Sequence, residues 1–148
     1  MNARHHLTRF AADLLLASGT GLSAAGHYVD VNSTNATPPY TNWTTAATNI
    51  QDAVDAAVAG DEVLVTNGTY QPIGVGKPLS VRSINGPQFT VISGVYAARC
   101  VDLNTGVSLS GFTLTQGTAY TGGGAYQCTL NNCTLSHNSA AIGGAAYE

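Results

Sequence analysis

An all-β parallel solenoid with one capping α-helix near the N-terminus is the fold this sequence predicts, and three observations carry it. Residues 107–127 and 128–148 align without a gap at a 21-residue offset, with Leu109/Leu130, Thr113/Thr134, Leu114/Leu135, Ala119/Ala140, Gly122/Gly143, Gly123/Gly144, Ala125/Ala146 and Tyr126/Tyr147 identical. A repeat this short cannot bury its own apolar face and must stack on copies of itself. Within each copy the apolar positions fall in short runs, Leu109, Phe112 and Leu114, then Leu130, Cys133 and Leu135, on Thr- and Ser-rich ground that favours strands. Composition agrees: 44% of the 148 residues are hydrophobic and only 9% charged, against roughly 25% charged in an ordinary soluble domain. Thr, Ser, Asn and Gly supply the polarity, which suits outward strand faces and tight corners.

The repeat also marks its corners. Gly111 faces Asn132 and Gly117 faces Asn138, and Gly and Asn are the residues that most readily adopt positive φ. Positive φ is therefore expected at all four. The length permits one domain. A net charge of −3 leaves no basic patch, so nucleic acid is not an expected partner.

Residues 1–25 read as an export signal. Arg4, His5, His6 and Arg9 precede the apolar run Phe10 to Ala17, which Asp13 interrupts, and Ser23-Ala24-Ala25 offers a small-residue cleavage site. Beyond it no apolar stretch approaches the roughly 20 residues needed to span a bilayer. Residues 26–60 then hold a leading strand from His27 to Val31, a loop from Asn32 to Asn42 containing Pro38-Pro39-Tyr40, and the cap helix. That helix is expected from Asn49 to Gly60, with Ile50, Ala53, Val54, Ala57 and Val58 on one stripe, Asn49 or Thr48 as N-cap and Gly60 as the αL stop. A helix across the first coil would shield its open edge and apolar end.

The coils occupy residues 61–148. Asp61 to Tyr70 reads as a strand ending in the Asn67-Gly68 turn, followed by strands at Leu79 to Ile84, Phe89 to Ile92 and Cys100 to Leu103. Gly74 to Pro78, Asn85 to Pro87 and Asn104 to Gly106 are the intervening corners. Cys133 replaces Phe112 in the repeat and should point inward as a small hydrophobe. A Cys100–Cys128 disulfide is left open, because pairing does not follow from spacing. No Cys/His spacing matches a zinc site.

Ile50 to Ala57, Gly60 to Val65 and Asn67-Gly68-Thr69-Tyr70 together resemble the N-terminal cap and first coil of right-handed parallel β-helix proteins of the pectin-lyase-like superfamily. Leu109 to Leu114, Asn138-Ser139-Ala140 and Gly143-Gly144-Ala145 resemble repeats of secreted bacterial β-helix proteins, and loosely those of polymorphic outer-membrane proteins. The resemblance implies a bacterial secreted or cell-surface protein with a right-handed β-helix. It leaves activity open, since this superfamily holds lyases, hydrolases, adhesins and autotransporter passengers.

Glycan-cleaving members use paired outer-face acids, or Ca²⁺-binding acids with an Arg or Lys base. Asp52 and Asp55 belong to the solvent side of the cap helix, and Asp61-Glu62 to the turn into the first strand, where solvation or capping accounts for them. Alternation puts Val101 and Leu103 inside and Asp102 outside, together with Cys100. Asp102 with Arg99 or Arg82 is thus the weak catalytic candidate set, set against a plain surface ion pair. His137 aligns with Gln116 and reads as a solvated turn residue.

The reading favoured here is a non-catalytic structural or adhesive module whose partner is a polysaccharide or cell-surface glycan. Tyr126 and Tyr147, at equivalent positions, are its ligand-binding candidates or else a stacked ladder packed on Gly122 and Gly143. The alternative is the N-terminal fragment of a polysaccharide lyase or glycoside hydrolase, the only case that would call for a cofactor, Ca²⁺. Sequons at Asn32, Asn35, Asn42, Asn67 and Asn132 would matter only in a eukaryotic secretory path. The sequence reaches Glu148 without a polar C-terminal cap, so a longer protein or self-association through the last coil is expected.

Overall fold

The computed structural model describes residues 23–147, so the export-signal reading lies almost wholly outside the described residues. The elements run β1 (Gly26–Val29), a 3-10 turn (Trp43–Thr45), α1 (Ile50–Ala56), β2 (Glu62–Val65), β3 (Gly68–Tyr70), β4 (Ile73–Val75), β5 (Ser80–Ser83), β6 (Thr90–Ser93) and β7 (Val101–Leu103). The repeats follow as β8 (Ser108–Ser110), β9 (Thr113–Thr115), β10 (Thr118–Thr121) and β11 (Ala125–Tyr126), then β12 (Thr129–Asn131), β13 (Thr134–Ser136), β14 (Ser139–Ile142) and β15 (Ala146–Tyr147). The protein is all-β with one α-helix among the described residues.

Strands are short because the chain turns a corner every few residues, and each pairs with a strand from another pass of the chain. The sheets order as β1-β2-β5-β8-β12, β3-β6-β9-β13, β4-β7-β11-β15 and β10-β14. All their pairs are parallel. Between the two repeats Ser108 pairs with Thr129, Thr113 with Thr134, Thr118 with Ser139 and Ala125 with Ala146, so the 21-residue offset is the strand register.

Register turns sequence alternation into columns of buried side chains. Val63, Val81 and Leu109 line up in one sheet, Tyr70, Ile92 and Leu114 in the next, and Ile73, Val101 and Ala125 in the third, all buried. Each fully buried Val, Leu or Ile contributes roughly 1.5–3 kcal/mol. Phe112 fills a corner of this core and is the largest fully buried side chain. In the second repeat Leu130, Cys133 and Leu135 occupy the same positions half-buried, packed against the core from one side. β12, β13, β14 and β15 each end their sheet.

The opposite end is closed. Ile50, Ala53 and Val54 of α1 are buried, and Asn49 caps the helix by accepting the Asp52 N–H at 2.8 Å. Gln51 does the work of a strand. Its amide donates to the Gly74 carbonyl at 3.1 Å and accepts the Gly74 N–H at 3.0 Å, closing the edge of β4. Lys77 donates to the carbonyls of Asp55 and Ala57 at the helix C-terminus. The edge of β1 is covered by the loop: Tyr28 N–H donates to the Tyr40 carbonyl, and Ala47 N–H to the Tyr28 carbonyl, each at 2.8 Å.

Several expectations are corrected. The helix ends at Ala56, the chain is extended from Ala57, and Val58 is therefore exposed instead of lying on the buried stripe. Gly60, at φ +94, belongs to the next turn and not to the helix stop. Residues 61–70 form two strands with a corner at Thr66-Asn67, not one. The segment from Gly74 to Pro78 begins inside strand β4 instead of being a corner throughout: Ile73 and Val75 point inward and only outward Gly74 lacks a side chain. Positive φ occurs at Gly111 and Asn132 as expected, but in the second corner it falls on Gln116 and His137, one residue before Gly117 and Asn138. Gly117 is required for space, since a Cβ there would overlap the Gly123 carbonyl oxygen and lie 2.8 Å from the Cys100 sulfur.

Candidate functional site

The third sheet brings three of the candidates into one column. Its register sets Gly74, Asp102, Tyr126 and Tyr147 side by side on successive strands. Arg99, just before β7, ties the column together. Its Nη1 donates to Asp102 Oδ2 at 2.8 Å, its Nε to the Gly122 carbonyl at 2.9 Å and its Nη2 to the Thr121 carbonyl at 2.8 Å. The guanidinium carbon also lies 4.6 Å from the centre of the Tyr126 ring, a cation–π contact. Tyr126 and Tyr147 stack with centroids 5.8 Å apart and planes 3° from parallel.

This geometry limits what the column does. Tyr126 lies against Arg99 and Tyr147, so a sugar ring has little access to its faces, and Tyr147 also packs on Gly122 and Gly143. Asp102 is exposed but engaged by Arg99, and the groups on the adjacent strands are Gly74 and Tyr126, not a second carboxylate. Acid–base hydrolysis works with two carboxyl groups flanking the bond. Arg82 lies in a different sheet and pairs with Glu62, Nε to Oε1 at 3.0 Å, away from this column. His137 is an exposed corner residue.

Cys100 is the further correction. It is buried, not outward with Asp102, because the chain bends between Arg99 and Val101 and strand parity does not extend back across the bend. Its thiol is free of any disulfide and donates to the Thr115 carbonyl at 3.1 Å. Burial pushes the Cys100 and Cys133 thiols up from their ordinary range, which disfavours the thiolate form at both.

Sequence reasoning missed a buried, hydrogen-bonded His–Asp pair. His27 shares parity with Val29 and so points inward, at the end of the Val63–Val81–Leu109 column. Its Nε2 lies 3.0 Å from Asp61 Oδ2, and its Nδ1 donates to the Pro39 carbonyl at 2.7 Å. Asp61 also accepts the Val58 N–H at 2.8 Å and the Ala25 N–H at 2.9 Å. Asp61 is thus buried and saturated, not solvated. The Val58 N–H, then those of Ala25 and His27, hold its carboxyl below the ordinary value of 3.8 against the opposing effect of burial.

A depressed carboxylate stabilises the fold above its unfolded value, and that contribution disappears as pH falls through the folded value. Asp61→Asn is therefore expected to be less stable than wild type at pH 7. In urea titrations across pH, the gap between the two proteins should narrow below about pH 4. An equal gap at pH 7 and pH 3 would contradict the assignment.

The surface around these groups has its own character. From Ser83 to Tyr147 the only Asp, Glu, Lys or Arg residues are Arg99 and Asp102, which neutralise each other. An open groove of about 360 Å³ between Thr105, Gly106, Val107, Gln127, Cys128 and Thr129 is likewise uncharged. Tyr120 on β10 and the Val95-Tyr96 pair are strongly exposed. The outward parity of Tyr120 was available from the Thr118-Ala119-Tyr120 alternation, whereas the two positive-φ positions of the other turn, Val95 and Tyr96, are neither Asn nor Gly.

Among the described residues no three His, Cys, Asp or Glu side chains come together as a metal-ligand group, and no helix is long and apolar enough to cross a membrane. Comparison with protein-family models, with curated proteins and with solved structures finds no match to this chain.

Proposed function

We propose that this chain is a secreted or cell-surface module of the right-handed parallel β-helix type, related to the pectin-lyase-like superfamily, that binds a neutral glycan without cleaving it. The β-helix reading is supported by the parallel sheets, the 21-residue register and the inward columns. One observation carries the functional reading: the exposed side chains of the stretch from Ser83 to Tyr147 are rich in Thr, Ser, Asn and Tyr, yet the stretch has a single, internally paired Arg–Asp couple. Such a surface recognises hydroxyl groups and sugar faces by hydrogen bonding and stacking. It has no free cation with which to hold a polyuronate, and no unpaired Arg or Lys for base chemistry in that stretch.

The test is to incubate the protein with neutral glucans, xylan and polygalacturonate, with and without Ca²⁺, and to follow new reducing ends and unsaturated products. Retention on a neutral polysaccharide with no product is the expected result. Unsaturated uronate products would replace this reading with the lyase alternative, and new reducing ends with the hydrolase.

A further inference from the structure

We propose that the Val95-Tyr96 turn and Tyr120 form the surface on which a neutral polysaccharide chain stacks; this rests on the glycan-binding reading above and names its site. Val95 and Tyr96 take φ values of 50° and 56° in succession, and the Ala97 N–H closes the turn on the Gly94 carbonyl at 2.9 Å. Two consecutive positive-φ residues make the type I′ geometry that Asn-Gly normally occupies. A β-branched valine is among the least suited residues there. The strain is locked in by neighbours: Gly94 N–H donates to the Thr115 carbonyl at 3.0 Å, Tyr96 N–H to the Gln116 carbonyl at 2.7 Å, and Thr118 N–H to the Ala98 carbonyl at 2.9 Å.

The two side chains at these positions gain little burial from the arrangement. Val95 is 59% exposed and Tyr96 61% exposed, so the unfavourable backbone serves to hold two apolar side chains in water. Strain of that kind marks places where a surface is prepared for something else. The next pass of the chain, in register through Thr118 and Ala98, presents Tyr120 at 75% exposure on the outer side of β10. Among the described residues neither ring stacks on another aromatic ring, unlike Tyr126 and Tyr147.

The backbones that carry Tyr96 and Tyr120 are separated by about 14 Å at most, given roughly 4.8 Å between passes and an offset of four residues at roughly 3.3 Å each. Two rings at that distance suit a run of sugars better than a single monosaccharide. Thr118 is exposed beside them, and no Asp, Glu, Lys or Arg lies between Ser83 and Ala98 or between Leu103 and Tyr147. The occupant that fits is therefore an uncharged, hydroxyl-rich chain. A rigid turn lowers the ordering cost of holding it.

The experiment is affinity electrophoresis of the full chain through gels containing hydroxyethylcellulose, xylan or mannan, with melting curves on every variant. Tyr120→Ala, and Val95→Asn combined with Tyr96→Gly, are each expected to lose at least ten-fold in retention. The double variant should melt above wild type, because it relieves the turn while removing the surface. Tyr120→Phe should retain binding, as should Phe89→Ala, which removes an exposed ring at another corner. Wild-type retention unchanged in Tyr120→Ala and in the double variant would overturn this site while leaving the glycan reading in place. Retention of wild type on none of the polysaccharides would overturn both. A dimer in light scattering that Tyr120→Ala abolishes, without glycan retention, would assign the face to a second copy of the chain and overturn the proposal.

Discussion

Gly123→Ala will cost about 3 kcal/mol or more of stability, whereas Gly144→Ala, the same change at the equivalent repeat position, will cost under about 0.5 kcal/mol. A Cβ at Gly123 would overlap the Ser139 carbonyl oxygen and come within 2.8 Å of that of Gly117. Both obstacles are backbone, one in the same pass of the chain as Gly123 and one in the next, and they are tied together by the Ser139 N–H to Gly117 carbonyl hydrogen bond at 2.8 Å. Neither can retreat without opening a sheet. At Gly144 the nearest atoms to an added Cβ are 3.7 and 3.9 Å away, ordinary contact. Urea titrations of the two variants decide the matter. Equal losses would mean that the glycines serve backbone conformation alone and that close stacking is not their role.

Phe112→Ala is expected to cost about 3–5 kcal/mol, and Cys133→Ala no more than about 1 kcal/mol. The two residues occupy one position of the repeat, and what differs is their cover. Phe112 is fully buried and packed from both sides, whereas Cys133 is half-buried with its sulfur 3.3 Å from the Asn131 carbonyl and 3.7 Å from that of Leu109. In a stacked repeat each unit draws its stability from its neighbours, so a cavity in a covered unit loosens the units on both sides. Near-equal losses in chemical denaturation would contradict the stacked arrangement.

What the sequence made legible is what depends on period. The 21-residue offset became strand register, and Leu109, Phe112 and Leu114 became core, because a stacked sheet has few other ways to bury alternate residues. The cap helix was legible at its start, where Asn49 accepts the Asp52 N–H, but not at its end. Val58 continues the helical stripe in sequence, yet the chain must turn so that Asp61 can meet His27, and that tertiary demand overrides local propensity.

Corners were the harder part. A glycine in sequence does not say whether it is needed for positive φ or for room. Gly117 turned out to provide room while its neighbour Gln116 takes the left-handed conformation. Gly74 suggested a corner where there is an outward strand position opposite Asp102. The candidate site was legible in part: parity placed Asp102 outside with Arg99 three residues away as a partner, but that Arg82 goes to Glu62 instead depended on which strands stack. The buried His27–Asp61 pair needed a contact across 34 residues, and the Val95-Tyr96 turn runs against local preference, so neither could be read from neighbours in sequence.

The most direct measurement is the affinity of the folded protein for a neutral xylan or glucan and for polygalacturonate as sodium chloride is raised from about 0.01 to 1 M, a range over which screening lengths fall from roughly 30 to 3 Å. Recognition by an uncharged, hydroxyl-rich face predicts binding to the neutral polysaccharide that salt leaves unchanged, and none to the uronate. Preferential binding to polygalacturonate that weakens as salt rises would contradict the account.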